Sequence, residues 1–530
     1  MQAVFHRVHG FLDPFQWYSA LRFLSPNIRL IFVLSQFALP EPVHPTCRAR
    51  KPPPDLPLEL WLDIFQFSTY VHRSATLKPL DPFTARKAST NVMAPNTPAL
   101  ALQTKLALVN VCKSWRRLAL PILYQHVVIR SPLRAGQILR TLEESRTPVP
   151  SDSSQGAKLP GYGQWTRHIE VFTHSRGCSN LSYLQSLFSV FRCCPNLRTL
   201  SGTWSHPLPP QFLDAVSTIY GPVLEELCWN EASDKLNRNL WRFTTSATID
   251  FLTSFSSLRI LDLRHFKAKD PLPDFRDTER PILPFVQDLI LSTHSWSLAT
   301  ASHIAMPRLR SLTVRAGTPE YSGTTQLTQF IKVHGPSLQY IDLPLPSMDD
   351  DMEPGSSLAL RNVKQINPEV FLGPDACPNL LSIVFPATSP PSADHSHPNL
   401  RCIGLRGVKA DCMYPDKGGL TKDFLYSVTS DRYPRLEMIQ TIGFLVEADG
   451  DHLIKDIFIW WVERLEKEGI DFLDGEGVLW AYTDAEEIAP PVESRGRPAM
   501  GPEEDSTSEA CGEGREKNED LKPSEEMLPL

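Results

Sequence analysis

One short phrase recurs through the middle of this 530-residue chain. It is a proline or serine, one further residue, and then L-x-x-L-x-L or a close variant. The nine copies are PNLRTLSG (195–202), PVLEELCW (222–229), SSLRILDL (256–263), PFVQDLIL (284–291), PRLRSLTV (307–314), PSLQYIDL (336–343), PNLLSIVF (378–385), PNLRCIGL (398–405) and PRLEMIQT (432–439). Their leading apolar residues are 20 to 42 residues apart. Repetition of this kind indicates an array of similar units.

Each phrase alternates apolar and other residues, which predicts a short strand with one face in a core and the other facing outward. Between phrases, segments such as LSYLQSLFSVFRCC (181–194) and TTQLTQFIKVHG (324–335) have apolar residues three and four apart, as in a crossover helix. The opening proline is compatible with this arrangement because it precedes the strand. The pattern predicts a leucine-rich-repeat solenoid of parallel strands over residues 160–485. A generic α/β domain with leucine-rich strands is the alternative.

The array ends in DHLIKDIFIWWVERLEKEGIDFLDGEGVLW (451–480). Gly469 marks the end of a helix, and IDFLDGEGVLW is typical of a closing strand and turn. The helix has an apolar stripe, which consists of Leu453, Ile457, Trp460, Trp461 and Leu465. We expect this helix to cover the last open face of the core, with both tryptophans inside it.

Two fragments before the array form halves of a small helical module: DLPLELWLDIF (55–65) and LVNVCKSWRRLALPILYQHV (108–127). Apolar residues recur at helical spacing in both, namely Leu56, Leu60 and Ile64 in the first and Leu108, Cys112, Trp115 and Ala119 in the second. Pro121 is expected to end the second helix. Both helices are more apolar than a two-helix unit can bury within itself, which predicts a partner surface.

About forty residues, 66–105, separate the two halves of the module and are rich in Pro, Thr, Asn and Ser. Loop-closure entropy grows slowly with length, so this insertion costs only about 1 kcal/mol more than a short loop. We expect it to be a solvent-exposed excursion while the halves still pack. Its Ser and Thr residues leave two interpretations open, a regulatory site or a passive insertion.

At these residues the sequence resembles the F-box motif. The likeness rests on Leu56 and Pro57, on Glu59, on the IF at 64–65 and on VCKSWR (111–116) followed by LALPILYQHV. Over its length the chain is similar to fungal, basidiomycete-like F-box proteins with irregular leucine-rich repeats. It departs from them in the long gap and in Tyr124, where the family usually has Trp.

The resemblance implies a substrate-recognition adaptor of an SCF-type ubiquitin ligase. The module, residues 55–145, would dock on a Skp1-like adaptor and through it on a cullin-RING ligase, while the repeats bind an unknown protein substrate. The Skp1-binding residues that it implies are Leu56, Pro57, Leu60, Ile64, Phe65, Leu108, Val109, Cys112 and Trp115. The alternative is a non-catalytic leucine-rich-repeat scaffold whose helical hairpin caps the solenoid.

Substrate would meet the outward side of the strands. Counted from the first Leu of each phrase, position seven is Arg264, Arg315 and Arg406 in three units, and position five is Asp262 and Asp342 in two. A row of arginines on a concave sheet suits an acidic or phosphorylated partner. The other reading is a solvated ladder in which these residues pair with each other.

Composition narrows the remaining classes of function. Of the net charge of -7, residues 491–530 contribute 11 acidic and 5 basic residues, or -6, so the body is almost neutral and has no basic stripe for nucleic acid. We expect the extension 1–54 to be poorly ordered and the acidic tail 486–530 to be disordered. The ten cysteines lack CxxC pairs and indicate a reducing compartment, in the cytoplasm and/or nucleus. The apolar run 30–39 spans half a bilayer, so we expect no membrane role.

The sequence contains no catalytic motif and no paired cysteine ligands. Asp394, His395 and His397 lie together, but in a Pro/Ser-rich turn without a second pair of ligands. We therefore expect no enzymatic activity, no metal and no cofactor.

Overall fold

The computed structural model describes residues 56–84, 96–146, 161–173, 181–204, 208–231, 247–266, 268–269, 280–292, 295–315, 324–343, 366–373, 375–415, 418–446 and 452–481. The predictions of a poorly ordered extension over 1–54 and a disordered tail over 486–530 lie outside the described residues.

The helical module precedes the solenoid. Its helices are α1 (Leu58–Ser68), α2 (His72–Ala75), α3 (Pro98–Val111) and α4 (Lys113–Gln125). The strands that follow are β1 (His126–Ile129), β2 (His168–Phe172), β3 (Thr199–Thr203), β4 (Glu226–Asn230), β5 (Ile260–Asp262), β6 (Asp288–Ser292), β7 (Ser311–Arg315), β8 (Tyr340–Asp342), β9 (Ser382–Pro386), β10 (Cys402–Arg406), β11 (Met438–Ile442) and β12 (Asp471–Leu473). The helices among them are α5 (Pro132–Glu144), α6 (Leu181–Cys193), α7 (Pro210–Tyr220), α8 (Ile249–Thr253), α9 (Ser295–His303), α10 (Thr324–His334), α11 (Glu369–Leu372), α12 (Leu420–Ser427) and α13 (His452–Glu466).

Within the described residues, twelve strands form one sheet in chain order, β1 to β12, and every neighbouring pair is parallel. Each crossover therefore advances the chain by one strand, which is the geometry of a solenoid. All nine phrases form strands, β3 to β11. The predicted α/β repeat fold is confirmed.

The alternation inside each phrase decides which side chains enter the core. The second residue of each strand is buried and lies in register with its equivalent on the next strand, as Leu200 does with Leu227 and Leu227 with Leu261. The helices pack on this side and complete one continuous apolar core. The first and third residues of each strand point to the opposite side. We call that side the outer face.

The turn before each strand satisfies its own backbone groups. The Arg167 carbonyl accepts from Arg198 N and Thr199 N, both at 2.9 Å, and the Arg198 carbonyl accepts from Glu225 N and Glu226 N at 2.8 and 2.9 Å. The same pairing recurs unit by unit, so the proline at the start of most phrases removes no ladder hydrogen bond.

Three local expectations are corrected. The predicted second helix is two helices, since Cys112 is extended (φ -156°, ψ 171°) and its Sγ caps α4 by accepting from Trp115 N at 3.4 Å. Pro121 lies inside α4, where burial of Ala119 and Ile122 outweighs the hydrogen bond that proline cannot donate. The sheet also begins at His126, well before residue 160, because HVVI pairs with β2.

The C-terminal end of the solenoid follows the prediction except at two residues of the apolar stripe, Leu453, which is 52% exposed, and Trp460. Helix α13 and strand β12 close the array, and Trp461 is fully buried and donates from Nε1 to the Met413 carbonyl at 2.8 Å. Trp460 is instead partly exposed, so only one of the two tryptophans belongs to the core. Its ring lies against Tyr426 at 6.0 Å between centroids.

Candidate protein-interaction surfaces

The two halves of the helical module pack together around a small core of their own. Phe65, Leu108, Ala119 and Ile122 are buried there. The Trp115 ring lies 4.9 Å from the rings of both Trp61 and Phe65, measured between centroids. Of the implied Skp1-binding residues, Phe65 and Leu108 thus hold the module together from inside.

The remaining implied docking residues reach the surface of the module to different degrees. Leu56 and Leu60 are 40% and 47% exposed, and Pro57 and Cys112 are also exposed. Ile64, Val109 and Trp115 are half-buried against the small core. Helices α1 and α3, which pack on each other, expose further large apolar side chains: Leu58, Phe67, Leu102, Leu106 and Val111. We call the exposed apolar residues of α1 and α3, together with Leu56, the docking face.

A different part of the module joins it to the solenoid. Helix α4 runs directly into β1, the Tyr124 ring stacks on Tyr162 at 4.8 Å, and the Gln125 carbonyl accepts from Arg167 N at 2.9 Å. The C-terminal end of α4 therefore covers the first units of the sheet. Leu56 and Leu60 take no part in this contact and stay exposed.

The segment after α1 lies on the outer face of the sheet. We call residues 70–84 the strap. His168 donates from Nδ1 to the Ser74 carbonyl at 3.2 Å, and Glu226 accepts from Thr76 Oγ1 and from Leu77 N, both at 2.7 Å. Lys78 Nζ lies 3.3 Å from Asp288 Oδ1. The strap, a part of the predicted insertion, thus lies against the sheet. Residues 98–105 belong to α3. The expectation that residues 66–105 form an excursion into solvent is therefore wrong for both segments.

The strap crosses the strands rather than running beside one of them. His168, Glu226 and Asp288 are the first residues of β2, β4 and β6, and they belong to one row of the strand register. One strand, β3 or β5, lies between each contact and the next, while the strap advances by two residues from Ser74 to Thr76 and from Thr76 to Lys78. Two strand spacings, about 9.6 Å, exceed the reach of two extended residues, about 7 Å, so the side chains of the contacting residues span the remainder.

The histidine under the strap is held neutral. Burial is the largest cause that lowers the pKa of His168 to about 4, and the neighbouring His126 ring, 4.5 Å away, adds to it. The Ser74 carbonyl and the Glu170 charge oppose this shift but do not cancel it. Nδ1 therefore carries the proton that Ser74 accepts, and Nε2 accepts from Ser201 Oγ at 3.2 Å.

Four of the five charged residues predicted to meet substrate pair with each other. Arg264 binds Asp262 with Nη2 2.8 Å from Oδ2, and Arg406 binds Asp342 with Nη2 2.9 Å from Oδ1. Burial would raise the pKa of Asp262, but the charge and hydrogen bonds of Arg264 outweigh it and hold that pKa below its usual value. Arg315 ends β7 and is half-buried. The charges of Asp262, Arg264, Asp342 and Arg406 are thus paired within the solenoid itself.

The histidine cluster considered for a metal has structural roles. His397 is buried, and its Nε2 donates to the Cys377 carbonyl at 3.0 Å, while His395 lies 3.5 Å from Glu369. Within the described ranges no group of three or more His, Cys, Asp or Glu side chains is placed to hold a metal ion. No described helix is long and apolar enough to cross a membrane.

No protein-family model matches the sequence, and no curated protein matches it. Among solved structures, a crystal structure of a protein from Bacteroides fragilis is 12% identical, with 60% of this chain and 68% of that chain covered and a TM-score of 0.30. The crystal structure of the Rad7 and Elc1 complex in yeast is also 12% identical, with 61% and 86% covered and a TM-score of 0.22. The repeat fold is therefore assigned from the parallel strands of the described residues and their register.

Proposed function

We propose that the protein is a substrate-recognition adaptor of an SCF-type ubiquitin ligase, with the docking face bound to a Skp1-like adaptor and the solenoid bound to a protein substrate. It acts by bringing proteins together, without catalysis or a cofactor of its own, in the cytoplasm and/or nucleus. A cullin-RING ligase would be recruited through the Skp1-like partner.

The exposure of the docking face is the observation that supports this proposal best. Leu56 and Leu60 lie at the positions that the F-box resemblance assigns to Skp1 binding, and both are exposed although they are apolar. Large apolar side chains gathered on two packed helices mark an interaction site. The solenoid on the other side supplies the extended surface that such repeats use for partners.

The scaffold alternative has one observation in its favour. The stack of Tyr124 on Tyr162 shows that the module covers the N-terminal end of the sheet. A pure cap, however, would bury Leu56, Leu60, Ile64 and Trp115 against the unit near residues 166–172. Leu56 and Leu60 remain exposed, so capping accounts for the end of α4 and leaves the docking face without a role.

Capture of the full chain by immobilised, purified Skp1 tests the proposal. Leu60→Glu places a charge on the docking face without touching the module's core, and we expect it to abolish capture. The matched control is Leu133→Glu on α5, which changes an exposed leucine (74% exposed) outside helices α1 to α4 and the docking face. It should be captured like the parent chain.

The result that would reject the proposal is failure of the folded parent chain to bind Skp1, with native secondary structure shown by circular dichroism. Equal loss of capture in both variants would point to nonspecific adhesion instead.

The same capture test can be made on a chain with a shortened insertion. The deletion must be limited to residues 85–95, because 98–105 belong to α3 and contribute buried Ala101 and Thr104.

A further inference from the structure

The part of the strap from Thr76 to Lys78 binds the outer face in the way that a short peptide binds a receptor. Thr76 has extended backbone (φ -156°, ψ 154°) and donates from its hydroxyl to one oxygen of Glu226, while the next residue, Leu77, donates from its backbone N–H to the other. Both distances are 2.7 Å. One carboxylate thus recognises a hydroxyl side chain and the adjoining backbone together, which is a charge-assisted, two-point contact.

A second carboxylate recognises a cation two residues further on. Asp288 is almost completely buried in the outer face, and Lys78 extends its ammonium group to within 3.3 Å of it while most of the lysine side chain stays in solvent. Among the described residues, Lys78 is the cation that pairs with Asp288. This pairing offsets part of the cost of holding the Asp288 carboxylate away from water while the strap is bound.

Four carboxylates of the outer face, Glu226, Asp262, Asp288 and Asp342, fall into two classes by the origin of their partners. Asp262 and Asp342 are paired with arginines that belong to the strands and turns of the solenoid itself. Glu226 and Asp288 receive their described partners from the strap. The second class is therefore available to another ligand whenever the strap leaves.

The contacts of the strap are of the kind that allows reversible release from the sheet. No side chain of residues 70–84 is buried, and polar contacts hold the segment to the sheet. Segments with few buried apolar contacts open at low free-energy cost. Its release exposes carboxylates without removing a residue from either apolar core.

We propose that Glu226 and Asp288 form a binding site for a short basic peptide segment, and that Thr76 to Lys78 occupies this site as an internal mimic of that ligand. The external ligand carries a hydroxyl residue, any residue, and then lysine or arginine. The strap carries two basic residues, Arg73 and Lys78, and one acidic residue, Asp81, while the row beneath it presents Glu226 and Asp288. This deepens the proposed function, on which it rests, by naming the class of substrate segment that the solenoid selects.

Fluorescence anisotropy with a labelled peptide of residues 70–80, YVHRSATLKPL, measures the site directly in the full-length chain. The parent chain should bind weakly because its own strap competes at high local concentration. Opening the strap with Thr76→Val and Lys78→Glu should raise the affinity about tenfold, as expected if the strap occupies the site in about nine molecules of ten. Glu226→Gln in the opened chain should then weaken binding.

Charge reversal separates recognition from unfolding. Asp288→Lys repels Lys78, and the resulting chain should bind a peptide that carries glutamate in place of its lysine and should reject the original peptide. A chain that had merely lost structure would show no such exchange of preference. Equal affinity of the parent and opened chains, or no reversal in a folded Asp288→Lys chain, would overturn the proposal and make the strap a permanent structural contact.

The same preparations report on Skp1 independently. The opened chain keeps the docking face and should be captured by Skp1 like the parent. Peptide binding with no Skp1 capture would reject the adaptor function and leave the peptide site standing. Skp1 capture with no peptide binding would support the adaptor function and reject the peptide site.

Discussion

Replacing Arg406 by alanine should destabilise the solenoid even though Arg406 lies on the outer face, where substrate is expected. Its guanidinium makes three hydrogen bonds of 2.9 to 3.2 Å to the Asp342 carboxylate. The two side chains are only 15% and 11% exposed, and they bridge β10 and β8 across β9. The alanine variant leaves Asp342 largely desolvated without a counter-charge.

The expected cost follows from this burial. Breaking a buried pair on one side destabilises by roughly 3–5 kcal/mol, and the residual exposure here places Arg406→Ala near about 3 kcal/mol. Asp342→Ala should cost less, because the long arginine side chain can turn its charge to water. The double variant should recover part of the loss, with a coupling free energy of about 2 kcal/mol.

Urea unfolding followed by circular dichroism measures these differences. The matched control is Arg401 and Glu437, an ion pair of the same region that is 52% and 64% exposed. Its disruption should cost between about 0 and 1 kcal/mol. If Arg406→Ala is no more destabilising than Arg401→Ala, the pair is not structural, and Arg406 returns as a candidate for substrate binding.

Three further outcomes are expected. Stability should fall as pH decreases from about 6.5 to about 4, because His168 and His334, each with a pKa lowered chiefly by burial to about 4, stay neutral while the unfolded chain takes up protons; each contributes about 3 kcal/mol, and His168→Gln should flatten the unfolding profile. Phe65→Ala should destabilise the helical module by about 3 to 4 kcal/mol, visible in calorimetry as an earlier transition while the solenoid melts unchanged. Iodoacetamide should modify exposed Cys112 before buried Cys194, whose thiol pKa burial raises to about 11, as peptide mass spectrometry will show.

Each strand with the full phrase was predictable, because alternating leucines specify both the strand and the face that enters the core. Strand β1 was not predictable, because its sequence, HVVI, follows the helical pattern of α4 without a break and lacks the repeated phrase. The start of α3 did have a local signal: Thr97 caps it by accepting from Leu100 N at 3.2 Å, and Pro98 stands at its first turn. The surrounding Pro, Thr and Asn residues obscured that signal.

Six of the implied docking residues lie in helices, and Leu56, Pro57 and Cys112 lie just outside helix ends, but spacing alone could not separate the inside of the module from its outside. Phe65 and Leu60 share the apolar stripe of α1, yet one is fully buried and the other is exposed, because α3 and α4 cover only part of the stripe. The position of the strap on the outer face could not be predicted from the sequence. Thr76 and Glu226 are 150 positions apart, and only the course of the chain brings them together.

Hydrogen exchange of the full chain, with and without purified Skp1, tests the central claim most directly. The adaptor function predicts binding with new protection in α1 and α3, at Leu58–Ser68 and Pro98–Val111, and none in the strands of the solenoid. Absence of binding, or protection confined to the outer face of the sheet, would contradict it.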